Sequence, residues 1–104
     1  MRLAAEWDFS IIGEAPDGET ALDLAISLCP DVVIIDVDML STDGMAIASM
    51  LHSACPEVSI VILSIRDDTF TCERAGEVGA AAFVAKSMPT DALLMAIRRV
   101  AHFM

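Results

Sequence analysis

A chain of 104 residues suits a single domain, large enough to bury a core but with little stability in reserve. Apolar residues make up 56% and the mean hydropathy is +0.63, yet no apolar run approaches the roughly 20 residues that span a bilayer, and Glu6 and Asp8 interrupt the opening MRLAAEWDF before a signal-peptide core can form. Sixteen acidic residues against six basic ones give a net charge of −10, which argues against direct nucleic-acid binding and suits a site that gathers a divalent cation. In chain order, residues 10–14 (SIIGE) read as a short strand and Pro16-Asp17-Gly18 as a turn. A helix follows to about residue 28, with Ala21, Leu22, Ala25 and Leu28 on one face. After Pro30, residues 32–36 (VVIID) form a strand apolar on both faces, as buried parallel strands are. Gly44 opens a helix to about residue 53, and Pro56 marks the next boundary. Residues 59–64 (SIVILS) are a second buried strand. Residues 69–78 make a helix with a poor apolar stripe that ends at Gly79, and residues 81–85 (AAFVA) make a strand. Pro89 begins a last helix with a strong face of Leu93, Leu94, Ile97, Val100 and Ala101.

Strand and helix alternate throughout, which predicts one α/β domain over residues 1–104 with parallel strands and right-handed crossovers. The helices between strands should share one face of the sheet, and the last helix should take the other. Cys29, Cys55 and Cys72 are odd in number, widely spaced and without a CxxC. They predict neither a disulfide framework nor zinc, and read as small buried hydrophobes in a reducing cytosol.

In parallel sheets ligands gather at the carboxyl ends of the strands. Asp36, Ser64 and Lys86 end three successive strands, so a carboxylate, a hydroxyl and an ammonium should converge there. Each alone has an ordinary reading as a turn former, a polar strand end and a solvated lysine. Together they suit phosphorus chemistry. The carboxylate can act as nucleophile, and the lysine, the hydroxyl and a divalent cation can stabilise the transferred group. Asp36 and Asp38 are the candidate Mg²⁺ ligands, Asp38 through its backbone carbonyl.

These residues carry a resemblance. DVVIIDVDMLSTDG, VILS and AAFVAK, in that order, resemble the receiver domains of bacterial two-component response regulators. GEAPDGETALDLA and LLMAIRR are most similar to the subgroup with LuxR/NarL-type DNA-binding domains. The resemblance implies a flavodoxin-like (CheY-like) three-layer α/β/α fold, and Asp36 as phosphoacceptor for a histidine kinase. It further implies Ser64 as the hydroxyl residue, Phe83 as a switch aromatic, Lys86 as the lysine, and Mg²⁺ as the ion. The implied role is cytoplasmic signalling rather than an enzyme activity.

Two departures stand out. Leu40 replaces the proline expected after the phosphoacceptor, which predicts a looser loop. The family's first strand, with its Mg²⁺-binding acidic pair, has no counterpart, since LAAEWDF resembles the end of the first helix. The fold is therefore expected to lack that strand and to bind Mg²⁺ weakly. Three outcomes follow for the gap: an upstream start, direct pairing of the flanking strands, or pairing with another chain as a homodimer. Two other functions remain open. One is a degenerate receiver that acts purely as a protein-interaction module. The other is a haloacid-dehalogenase-type phosphohydrolase, with Asp36, Asp38, Ser64 and Lys86 in its motifs.

Overall fold

The computed structural model describes residues 17–38 and 43–101. Four helices, α1 (Gly18–Leu28), α2 (Gly44–Ala54), α3 (Thr69–Glu77) and α4 (Thr90–Ala101), alternate with three strands, β1 (Val32–Asp36), β2 (Ser59–Ser64) and β3 (Ala82–Ala85). All strand pairs are parallel, in the order β1-β2-β3, with Val33 opposite Ile60 and Ile62 opposite Phe83. The expected strand at 10–14, the Met1–Trp7 segment and Leu40 lie outside the described residues.

Each helix start has a local cause. The carboxylates of Asp17, Asp43 and Asp68 cap α1, α2 and α3 by accepting from the N–H groups of Thr20 (2.8 Å), Met45 (3.0 Å) and Thr71 (2.8 Å). Gly44 is required by proximity. A Cβ there would sit 2.8 Å from Val37 Cγ1 and 2.9 Å from Val37 Cα, so only glycine lets α2 start this close to the end of β1. The helix ends differ more. α1 stops at Cys29, which adopts the left-handed conformation (φ 49°) usually left to glycine or asparagine, with its N–H on Ala25 O. α3 closes with paired bonds from Gly79 N–H to Gly76 O and from Ala80 N–H to Ala75 O, with Gly79 at φ 92°.

The strand order advances in one direction, so right-handed crossovers place α2 and α3 on one face. The packing agrees. Ala25 of α1, Met45, Ala48 and Leu51 of α2, and Ala75 of α3 cover Ile35, Ile60 and Ile62. On the other face Leu93, Ala96, Ile97 and Val100 of α4 cover Val61, Leu63, Ala82 and Val84. β2 is buried on both sides because it is the central strand, and the hydroxyl of Ser59 at its start donates to Val100 O at 3.0 Å, tying down the end of α4.

The cysteines correct the sequence reading. Cys29 and Cys72 are exposed and Cys55 is half-buried. The left-handed cap turns Cys29 out of the α1 stripe, and Cys72 follows the buried Thr71 onto the outer side of α3. The poor stripe of α3 is as expected, since it buries only Thr71 and Ala75 and leaves Phe70 69% exposed.

Gly79→Ala is expected to destabilise the domain by about 1–3 kcal/mol, because a side chain at positive φ is strained. The new Cβ would also meet the His52 ring, but His52 is exposed and can swing aside, so the backbone term dominates. Gly79→Asn meets the same ring yet tolerates the left-handed region. Equal losses of denaturation midpoint for the two variants would contradict this account.

The Asp68 cap predicts a pH dependence. The Thr71 backbone N–H, and then its side chain, hold the Asp68 carboxyl below its ordinary value of 3.8. A depressed folded value means the stabilisation is complete above 3.8 and fades as pH falls through the lower folded value. The urea midpoints of wild type and Asp68→Ala should therefore differ by a constant amount down to about pH 5 and converge in stronger acid. A difference that grows on acidification would overturn the assignment.

Candidate functional site

The carboxyl ends of the three strands bring Asp36, Ser64 and Lys86 to one edge of the sheet. The ladder continues past the strands in two bonds, from Val37 N–H to Leu63 O (3.1 Å) and from Lys86 N–H to Ser64 O (2.7 Å), which lock the three positions side by side. Lys86 Nζ stands 2.8 Å from Asp36 Oδ2 and 3.3 Å from Asp38 Oδ2. All three side chains are between 24% and 29% exposed, so they are screened less than a surface pair and still reach solvent. The hydrogen bond from Lys86 to the Asp36 carboxylate, with help from Asp38, raises the lysine above its ordinary value of 10.5 despite some desolvation. Lys86 is thus a fixed cation at neutral pH.

The neighbouring bonds are polar and local. Asp36 Oδ1 accepts the Asp38 N–H at 3.1 Å, and Asp38 Oδ2 accepts the Ile65 N–H at 2.7 Å. Ser64 is buried, and its Oγ accepts the Arg66 N–H at 3.1 Å. Phe83 is half-buried on β3, on the face covered by α1 to α3. An outer ion pair, Arg74 to Asp43 at 3.7 Å, is exposed and contributes little. Because α1, α2 and α3 run back against the strands, their N-termini also lie toward this edge and favour negative charge there.

The Asp38 carboxylate is the part that sequence reasoning missed. Besides the backbone carbonyl expected to serve the cation, its side chain joins Lys86 to the segment after β2. The spacing D-x-D was the available signal, but the partner Ile65 is 27 residues away.

Two carboxylates around one ammonium leave an excess of negative charge, and one or two carboxylates plus water are a normal protein ligand set for Mg²⁺. Asp36 and Asp38 therefore fit such an ion. Among the described residues no group of three or more metal-ligating side chains forms.

The comparisons agree with this fold. The chain matches the response regulator receiver domain over residues 1–98, and it belongs to that family. It is 33% identical over 100 residues to the transcriptional regulatory protein DegU of Brevibacillus brevis, covering 96% of this chain and 42% of that protein. It is 30% identical over 94 residues to the nitrate/nitrite response regulator NarL of Escherichia coli, covering 90% and 44%. The signal receiver domain of the putative response regulator NarL from Mycobacterium tuberculosis superposes with a TM-score of 0.87 at 27% identity, over 98% of this chain and 82% of that one. The chain spans less than half the length of these two sequence relatives. It is thus a CheY-like receiver domain of two-component signalling, of the LuxR/NarL type. Receivers are phosphoacceptor modules that typically bind Mg²⁺ and work as signalling domains rather than enzymes. The phosphohydrolase reading is not favoured by these matches. Among the described residues no helix is long and apolar enough to cross a membrane.

Proposed function

We propose that Asp36 is the phosphoacceptor of this receiver. One carboxylate oxygen attacks the phosphorus of a phosphohistidine on a histidine kinase, the P–N bond breaks, and an aspartyl phosphate forms. The observation that carries this reading is the Lys86 ammonium 2.8 Å from Asp36 Oδ2 at the carboxyl edge of a parallel sheet. Lys86 stabilises the charge on the transferred group, and the Ser64 hydroxyl contributes a donor once it turns from Arg66 N–H. Asp36 and the Asp38 segment would hold Mg²⁺, which supplies charge neutralisation at the phosphoryl oxygens.

The conformational output passes through Ser64 and Phe83 to α3, whose burial of only Thr71 and Ala75 leaves it free to shift. In the whole protein this output regulates transcription from the cytoplasm, as the similarity to DegU and NarL suggests. Incubation with acetyl phosphate and Mg²⁺, followed by intact mass and peptide mapping, tests the assignment. Wild type should gain one phosphoryl group at Asp36, and Asp36→Asn should gain none. No adduct on wild type would favour a receiver that serves only as an interaction module, and an adduct retained by Asp36→Asn would move the site elsewhere.

A further inference from the structure

The Asp38 side chain collects two donors from two different strand ends. Its Oδ2 accepts the Ile65 N–H at 2.7 Å and lies 3.3 Å from the Lys86 ammonium, which at 2.8 Å also serves Asp36 Oδ2. A backbone N–H and an ammonium that converge on one anionic oxygen are the elements of an anion site. They lie beside the carboxylate that would carry the phosphoryl group. We propose that Asp38 is a resident anion, holding in the unmodified protein the two donors that a phosphoryl group on Asp36 needs. This rests on the phosphoacceptor reading above and adds a positioning residue to it.

Three consequences follow from the charges. A phosphoryl group on Asp36 brings further negative charge and acceptor oxygens within reach of Lys86 and Ile65 N–H. It displaces the Asp38 carboxylate, which otherwise stands against it as a like charge. Ile65, 66% exposed and next to the buried Ser64, is then pulled toward position 36 instead of position 38. Asp38 therefore opposes phosphoryl uptake and sets the resting place of the segment that leads into α3. A carboxylate whose main work was holding the cation would have the opposite sign, because its loss would slow uptake.

The test compares Asp38→Ala, which loses acceptor and charge, with Asp38→Asn, which keeps an acceptor oxygen and loses the charge. In unmodified protein, amide exchange at Ile65 should speed by about tenfold in Asp38→Ala, and Asp38→Asn should restore most of the protection. With acetyl phosphate at saturating Mg²⁺, Asp38→Asn should acquire the Asp36 adduct about five- to tenfold faster than wild type, since a contact-range repulsion is gone. After modification, Ile65 protection should become alike in wild type and Asp38→Asn.

Unchanged Ile65 exchange in Asp38→Ala would overturn the proposal, as would slower uptake by Asp38→Asn at every Mg²⁺ concentration. An adduct on Asp38→Asn but not on wild type would support it strongly. If neither protein forms an adduct, the phosphoacceptor reading falls by itself, and the exchange measurement still decides whether Asp38 holds Ile65.

Discussion

Ile62→Ala is expected to cost about 3–4 kcal/mol, since deleting a buried isoleucine loses both its transfer energy and the contacts around the cavity it leaves. Ile62 is fully buried at the middle of β2, between β1 and β3, with α1 to α3 closing the face it points to. Strands on either side cannot collapse inward without breaking their own ladders, so the cavity stays largely open. Domains of this size have about 5–15 kcal/mol in total, so the change removes a large share. The melting midpoint should fall by about 15–25 °C. Ile65→Ala provides the contrast, because Ile65 is 66% exposed and its loss should change stability by about 0.5 kcal/mol or less. A small midpoint shift for Ile62→Ala would mean that the face of α1 to α3 packs more loosely than described.

That contrast shows which part of the fold could be read in advance. VVIID is a strand-length run of branched apolar residues after Pro30, as parallel strands are, so β1 was legible with its bounds, although of its residues only Ile35 is fully buried. Leu93, Ile97 and Val100 repeat at helical spacing, so α4 was legible too. Sidedness followed from connectivity, because successive crossovers in one direction leave no choice of face for α2 and α3. Features set by tertiary approach were not legible. Cys29 adopts a left-handed cap that its residue type does not announce, and it leaves the core for that reason. Gly44 looked like a helix opener, whereas its need comes from Val37 lying under the missing Cβ. Likewise Asp36, Ser64 and Lys86 could be assigned to one edge from strand ends alone. The side chain of Asp38 could not, since its partners are Ile65 and Lys86, each just past the end of one of the two following strands.

Lys86→Met is expected to slow acquisition of a phosphoryl group on Asp36 by about a hundredfold or more, the usual scale for removing one preorganised charge partner. Lys86 is the cation placed between Asp36 and Asp38, at 2.8 Å and 3.3 Å. Methionine keeps the length of the side chain and its apolar stem, so packing along the end of β3 survives while the charge goes. The two carboxylates then face the incoming phosphoryl group with only Mg²⁺ to offset them, and the Mg²⁺ needed for half-maximal rate should rise if the ion takes over part of the lysine's work. Lys86→Arg should fall between, because a guanidinium keeps the charge but replaces a compact donor by a planar fork. The pH dependence has a definite sign. A lysine raised above 10.5 contributes fully below that pH, and its contribution is lost only as pH rises through the higher folded value. The ratio of wild-type to Lys86→Met rates should therefore stay constant between about pH 6 and pH 9. Stopped samples analysed by intact mass give that ratio directly. Equal rates for the two proteins would remove Lys86 from the chemistry, and with it the observation on which the assignment of Asp36 rests.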